Sequence, residues 1–140
     1  MADVEKADRP AVFPVLRYRE ADKAIRFLTE AFGFEAEVRH PPEGEFVAHA
    51  ELRLGRGVVM VGSERGPDAG PTAVPAAPQL LYVAVEDPDA HCARARAAGA
   101  EIVAEPADMG YGAREYAARD PEGSVWTFGT DWRDSAGAQG

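Results

Sequence analysis

The heptapeptide Gly57–Ser63 (GVVMVGS) decides the fold of this chain, because residues 124–130 (SVWTFGT) repeat its pattern. The second copy follows the first by 67 positions in a chain of 140 residues. Each copy is a run of branched and apolar side chains with a glycine near its end, which is typical of a β-strand. This repeat predicts two half-sheets related by pseudo-symmetry, with a shared cavity where they meet.

Upstream of the first copy, residues 11–18 (AVFPVLRY) predict a strand, which Pro14 makes irregular or places at a sheet edge. A helix is predicted next, since apolar residues recur at helical spacing from Ala21 to Phe32 and Gly33 follows as a stop. Three further strands complete a β-α-β-β-β module. They are predicted at residues 35–39, 46–54 and 58–61.

The second module is predicted to have the same order of elements. After a strand at residues 80–85, Asp87 and Pro88 provide an N-cap and a first-turn proline for a helix that ends before Gly99. The later strands are predicted at residues 101–104, 114–119 and 125–128, with a tight turn at residues 120–123 (DPEG) before the last.

These elements predict a single domain with five segments. A stretch rich in Pro, Gly and Ala near the chain midpoint reads as a linker between the modules. The predicted segments are a flexible N-terminus at 1–10, the first module at 11–63, the linker at 64–78, the second module at 79–130 and a flexible tail at 131–140.

The composition excludes several classes of function. A net charge of −9, from 24 acidic and 15 basic residues, opposes binding to nucleic acid, which requires a positive surface. The single cysteine, Cys92, cannot form an internal disulfide, and the N-terminus carries no apolar export segment. No apolar run approaches the roughly 20 residues that a membrane span requires. We therefore predict a cytoplasmic protein with no nucleic-acid or membrane partner.

Three features together resemble the glyoxalase, bleomycin-resistance and extradiol-dioxygenase superfamily, also called vicinal oxygen chelate. They are the tandem modules, the helix that contains residues 24–27 (AIRF) and closes at residues 32–34 (FGF), and the DPEG turn before an apolar strand. The resemblance covers residues 12–130. It implies an α+β fold in which two tandem β-α-β-β-β modules form a curved, mostly antiparallel sheet around a cavity.

Enzymes of that superfamily hold a divalent metal with four side chains, usually His or Glu, from the first and last strand of each module. The resemblance places Phe13, Met60, Leu80 and Thr127 at these positions. Phenylalanine and leucine have no donor atoms, and methionine and threonine are poor ligands for such a metal. A shift of one residue recovers no ligand. We therefore expect no metal and no other cofactor.

Other residues are candidates for ligand contacts. Arg17 and Arg114 either clamp an anionic group of a ligand or form ion pairs with acidic side chains, and both interpretations remain open. His49 and Tyr116, which are 67 positions apart, either line the concave face or make structural hydrogen bonds. Trp126 and Phe128 are expected in the core. The full predicted ligand-binding set is Phe13, Arg17, His49, Met60, Leu80, Tyr82, Arg114, Tyr116 and Thr127.

Two functions follow from the resemblance. The first is a binding protein without the family's metal ligands, which holds a small apolar or aromatic molecule, with antibiotic sequestration as one role; in that branch two chains usually pair as a homodimer. The alternative is a lyase, isomerase or dioxygenase with a displaced or non-metal active site. A purely structural or regulatory module is the third class, and the sequence leaves open whether any reaction is catalysed.

Overall fold

The computed structural model of the protein describes residues 9–131, which divide into two units. Within the described residues, the first unit holds the chain up to Thr29 and residues 33–76, and the second holds residues 30–32 and the chain from Ala77 onward. The predicted flexible segments 1–10 and 131–140 fall almost entirely outside the described residues.

The first unit contains a four-stranded mixed sheet. Its elements are β1 (Val15–Tyr18), α1 (Ala21–Phe32) without its last three residues, β2 (Glu35–His40), β3 (His49–Leu54) and β4 (Gly57–Ser63). The strand order is β1-β4-β3-β2. Strands β1 and β4 are parallel, whereas β4 with β3 and β3 with β2 are antiparallel. The heptapeptide at residues 57–63 is therefore a central strand.

The second unit repeats this arrangement. Its elements are β5 (Leu80–Ala84), α2 (Pro88–Ala97), β6 (Glu101–Asp108), β7 (Arg114–Arg119) and β8 (Val125–Gly129). The strand order is β5-β8-β7-β6, again with one parallel pair, β5 with β8, and two antiparallel pairs. The predicted α+β fold with two tandem β-α-β-β-β modules is confirmed, with one four-stranded sheet in each module.

Local signals set the helix ends. Gly33, which follows α1, has a φ of 84°, a left-handed conformation that glycine adopts without a steric penalty. At the start of α2 the Asp87 carboxylate accepts a hydrogen bond of 3.1 Å from the Ala90 N–H, and Pro88 occupies the first turn. Both features agree with the sequence prediction.

Several strand boundaries differ from the prediction. Strand β1 begins at Val15 rather than at residue 11, although the Pro14 carbonyl still accepts a hydrogen bond from the Met60 N–H. Strand β6 continues through Pro106 to Asp108, because it pairs only with β7 and an edge strand tolerates a residue without an N–H. Strand β3 begins at His49, after a segment that was predicted to be part of it.

Each sheet has a buried face and an open face, because side chains alternate along a strand. We define the open face by Val15, Arg17, Met60 and Gly62 in the first unit and by Tyr82, Glu115, Thr127 and Gly129 in the second. The opposite face holds the core, and in the second unit it lies under α2. Trp126 and Phe128 are fully buried there, as predicted. The open faces carry the candidate sites.

Candidate functional site

The glycine that both copies of the repeated strand share lies on the open face of its sheet. Gly62 is in β4 and Gly129 is in β8, and both are buried although they face away from the core. Each is covered by a long side chain from the first strand of its module. Because glycine has no side chain, the neighbouring side chain can pass over the central strand at this position. Any larger residue there would block its path. The repeat thus encodes a crossing point in each sheet.

In the first unit the crossing side chain is Arg17. Arg17 pairs with Gly62 across the parallel strands β1 and β4, and a Cβ built on Gly62 would collide with the guanidinium Nη1. The same Cβ would lie 3.3 Å from the carbonyl oxygen of Ala48. Within residues 9–131 no carboxylate lies within salt-bridge distance of Arg17, so the structure does not give it the ion pair that the sequence left open. As far as residues 9–131 are concerned, its guanidinium is available to an anionic group.

The other predicted residues of the first unit lie near this crossing. Met60 pairs with Val15 on one side and with Glu51 on the other. His49 lies on the open face, and its Nε2 is 2.8 Å from the Glu51 carboxylate. Phe13 precedes β1 and is 38% exposed. The structure therefore brings Arg17, Met60 and His49 to one face, with Phe13 just outside the strand.

In the second unit the crossing side chain is Tyr82. Tyr82 projects from β5 across β8 at Gly129, and its hydroxyl donates a hydrogen bond of 2.9 Å to Glu115 Oε2 on β7. A second hydroxyl, from Tyr111 in the β6–β7 loop, donates to the same oxygen. A Cβ on Gly129 would collide with the Tyr82 hydroxyl and lie 2.7 Å from Glu115 Cγ. These contacts hold a carboxylate between two tyrosines on the open face.

The tyrosines of this cluster stay protonated at neutral pH. Partial burial and the hydrogen bond to Glu115 both raise the pKa of Tyr82. The pKa of Tyr111 is raised chiefly by its hydrogen bond to Glu115. Both hydroxyls therefore act as donors, and Glu115 acts as the acceptor.

Leu80 and Thr127, the remaining predicted residues of the second unit, also lie on its open face. Thr127 pairs with Tyr82 and with Ala117, and Leu80 pairs with Val125. Leu80 is 76% exposed, although its side chain is entirely apolar. Together with Tyr82, Leu80 gives β5 an exposed apolar surface on this face.

Tyr116 makes a structural hydrogen bond, which was one of its two interpretations. Its side chain is 1% exposed on the buried face, and its hydroxyl contacts Nδ1 of His91 on α2. The reason is register: Tyr116 pairs with Phe128 as Ala50 pairs with Val61, so Tyr116 corresponds to Ala50 rather than to His49. The turns before β4 and β8 differ in length, so the offset of 67 residues does not extend to this strand.

The environment of His91 fixes its protonation. Nε2 lies 2.8 Å from the carbonyl oxygen of Phe32, which only accepts, so Nε2 carries the hydrogen and Nδ1 accepts from the Tyr116 hydroxyl. Burial lowers the pKa of His91 and raises the pKa of Tyr116. The neighbouring Cys92 is buried with a raised pKa, also through burial. This geometry is a structural hydrogen-bond chain and contains no cysteine–histidine pair.

Arg114 forms ion pairs with acidic side chains, which was one of the two interpretations that the sequence left open. Its Nε and Nη2 donate to the two carboxylate oxygens of Asp89, at 2.7 and 2.9 Å, and Nη1 donates to Asp108 at 3.1 Å. These partners raise the pKa of Arg114, and Arg114 lowers the pKa of Asp89. Because Arg114 joins α2 to strands β6 and β7, its guanidinium is occupied within the fold.

The donor groups do not fit the divalent metal that the resemblance implies. The side chains that pair across the first and last strands at Met60 and Thr127 are Val15 and Tyr82, and the Tyr82 hydroxyl is bonded to Glu115. Within residues 9–131 no group of three or more His, Cys, Asp or Glu side chains is close enough to hold a metal ion. No ligand set of imidazole and carboxylate is present at these positions.

The paired β-α-β-β-β modules with matching strand orders define a small α+β protein of the glyoxalase-like class. A family model described as the Glyoxalase/Bleomycin resistance protein/Dioxygenase superfamily matches residues 11–128, and the chain belongs to this superfamily. Among the described residues, no helix is long and apolar enough to cross a membrane.

Individual relatives agree with this assignment. The crystal structure of TioX from Micromonospora sp. ML1 is 35% identical, with a TM-score of 0.74, over 87% of this chain and 96% of that one. An uncharacterized protein of Mycobacterium bovis is 33% identical over 89% of this chain and 86% of its own length. A glyoxalase/bleomycin resistance protein/dioxygenase from Nocardioides, at 22% identity and a TM-score of 0.63, covers 87% of this chain and 83% of its own and shares the fold.

Sequence reasoning missed Glu115 and Tyr111. Glu115 lies in a strand of mixed polarity (REYAAR), in which Tyr116 is the more conspicuous residue. Tyr111 lies in a loop between glycines. The available signal was the glycine of the repeat, because a buried glycine on an open face requires a neighbouring side chain to cover it.

Proposed function

We propose that this chain is a small-molecule-binding protein that works without the metal of its superfamily, and that the open face of each sheet binds apolar or aromatic groups. The observation that carries the proposal is the exposure of large apolar side chains there. Val15 is 54% exposed, Leu80 76% and Tyr82 45%. Water contact with such side chains is unfavourable, and covering them with an apolar ligand would remove that cost.

The proposed contacts are the predicted residues that lie on or beside the open faces. They are Phe13, Arg17, His49, Met60, Leu80, Tyr82 and Thr127. Arg17 would pair with an anionic group of the ligand, because a guanidinium with no described carboxylate partner gains most from one. Antibiotic sequestration by a cytoplasmic homodimer is the biological role that this proposal favours.

Thermal unfolding in the presence of ligands tests the proposal. Purified protein is screened against a panel of aromatic natural products, and at least one compound is expected to raise the melting temperature. A ligand at 100 times its Kd stabilises the folded state by about 2.7 kcal/mol, which corresponds to several degrees for a chain of this size. A panel without any stabilising compound would count against the proposal.

Metal analysis separates this function from the enzymatic alternative. Protein purified without chelators is expected to contain no stoichiometric transition metal, and chelation is expected to leave ligand binding unchanged. A stoichiometric metal whose removal abolished turnover would refute the proposal in favour of a lyase, isomerase or dioxygenase with displaced ligands.

A further inference from the structure

Glu115 is a buried acidic residue whose hydrogen bonds use only one of its carboxylate oxygens. The side chain is 7% exposed, and both Tyr82 and Tyr111 donate to Oε2. Within residues 9–131 no donor forms a hydrogen bond with Oε1. This oxygen is in contact with solvent. The free oxygen therefore reaches the surface on the open side of the cluster.

No positive charge of the described residues neutralises this carboxylate. Salt bridges in the second unit use Arg96, Arg114 and Arg119, and none of them involves Glu115. Burying a carboxylate without a cationic partner is costly, since hydroxyl donors replace only part of the hydration that the charge loses. The cluster is therefore built to accept a further donor, and a cation would be the most favourable one.

Two exposed tyrosines contact the same carboxylate. Tyr82 is 45% exposed and Tyr111 is 58% exposed, and the hydroxyl of each donates to Glu115, with the Thr130 carbonyl oxygen a second, longer acceptor for Tyr82 at 3.2 Å. A carboxylate between two tyrosine rings recognises an organic cation in two ways, through a charge-assisted hydrogen bond and through the negative faces of the rings. Leu80 extends the same strand with an exposed apolar surface for the body of such a ligand.

We infer that Glu115, flanked by Tyr82 and Tyr111, binds a protonated amine on a ligand with an apolar or aromatic body. This inference rests on the proposed function and names the ligand class at the second unit: an aromatic compound with a primary or secondary ammonium group. The ammonium donates to Glu115 Oε1, and the tyrosine hydroxyls hold Oε2 in place.

Matched pairs of amines and alcohols test the inference. Binding is measured by calorimetry at pH 7 for benzylamine and benzyl alcohol, 1-naphthylmethylamine and 1-naphthalenemethanol, and tryptamine and tryptophol. The wild type is expected to bind at least one amine about tenfold or more tightly than its alcohol, because a hydrogen bond to a charged group contributes more than a neutral one. Equal affinity within every pair that binds would overturn the inference and leave the proposed function intact. Binding of none of the six compounds would also overturn the inference, and the separate panel of aromatic natural products then decides the proposed function.

The variant Glu115→Gln removes the charge and keeps the shape. Its affinity for the preferred amine is expected to fall about tenfold to 100-fold, with the alcohol affected less than about twofold. Glu86→Gln is the matched control, since it removes the same charge from an exposed position of the same unit and is expected to change neither affinity. An amine affinity unchanged by Glu115→Gln would refute the inference.

A second variant covers the case in which Glu115→Gln does not fold. Tyr111 is exposed and lies in a loop, so Tyr111→Ala is expected to keep the fold, with a melting temperature lowered by several degrees because the hydrogen bond to Glu115 is lost. It removes one aromatic wall and is expected to weaken amine binding about twofold to fivefold, as the loss of an exposed cation–π contact would. Loss of the amine and the alcohol to the same extent would contradict a cation site.

Discussion

Gly129→Ala is expected to destabilise the protein strongly, although glycine to alanine within a strand is usually favourable. The new methyl carbon would lie 2.7 Å from Glu115 Cγ and 3.1 Å from Tyr82 Cζ, and it would collide with the Tyr82 hydroxyl. None of these atoms is free to move away cheaply, because the Tyr82 hydroxyl is held by Glu115 on the far side of β8. Tyr82 must withdraw, and its hydrogen bond to the carboxylate is lost.

The magnitude follows from three contributions. Overpacking of this kind costs about 1–3 kcal/mol, and the lost hydrogen bond to a charged acceptor costs about 1.5–3 kcal/mol. Alanine restricts the unfolded chain more than glycine does, which offsets about 0.4–1 kcal/mol of the lost stability. Gly129→Ala should therefore lower the free energy of unfolding by about 2–5 kcal/mol. Urea unfolding followed by tryptophan fluorescence measures this change.

The repeat supplies the matched control, because Gly62 is the same glycine in the first unit. A Cβ on Gly62 would meet chiefly the guanidinium of Arg17, which is the flexible end of a side chain without a described ion pair to lose. Gly62→Ala is therefore expected to cost less than about 1 kcal/mol. In a Tyr82→Phe background the cost of Gly129→Ala should fall by about 1 kcal/mol or more, because the hydroxyl is absent. Equal costs at the two glycines, or no dependence on Tyr82, would refute the crossing-point interpretation.

Two further predictions concern stability. Asp120 accepts hydrogen bonds from two backbone N–H groups and, at 3.0 Å, from the buried indole of Trp126, so Asp120→Ala should cost about 2–4 kcal/mol in urea unfolding. Asp68→Ala, which removes the same charge from an exposed turn, should cost less than about 0.5 kcal/mol. Burial lowers the pKa of His91, so the unfolded chain binds the proton more readily, and the stability that neutral His91 contributes is lost as the pH falls below about 6.5. Between pH 7.5 and 5.5 the wild type should lose more unfolding free energy than His91→Gln, by at most about 1.4 kcal/mol per pH unit for one proton; equal losses would show that His91 is not linked to folding.

The fold could be predicted because its signals are local and occur twice. The apolar spacing of α1 with Gly33 at its end, and the Asp87–Pro88 start of α2, need no long-range information. Repetition then gave the order of elements twice, so an ambiguous strand in one module could be checked against its counterpart. Boundaries were less certain where an edge strand tolerates proline, as in β6.

The site could be predicted only in part, because strand faces depend on register. In β7 both Glu115 and Tyr116 suit either face, and the turn before β8 decides between them. A single-residue difference between the two turns moved Tyr116 to the core and placed Glu115 on the open face. Moving a strand by one residue exchanges its two faces. A single offset applied to the whole repeat therefore predicts the wrong face for this strand.

The two modules share the same backbone feature but present opposite charges on their open faces. In each, the glycine near the end of the repeated strand lets a side chain from the first strand cross the sheet. Arg17 brings a cationic group to the open face of the first unit, whereas Tyr82 holds the anionic Glu115 on the second. The repeat preserves the geometry of the sheets but not their chemistry. Under the proposed function, ligand preference depends on the charged group presented at each crossing, so substitutions of Arg17 and of Glu115 should change it.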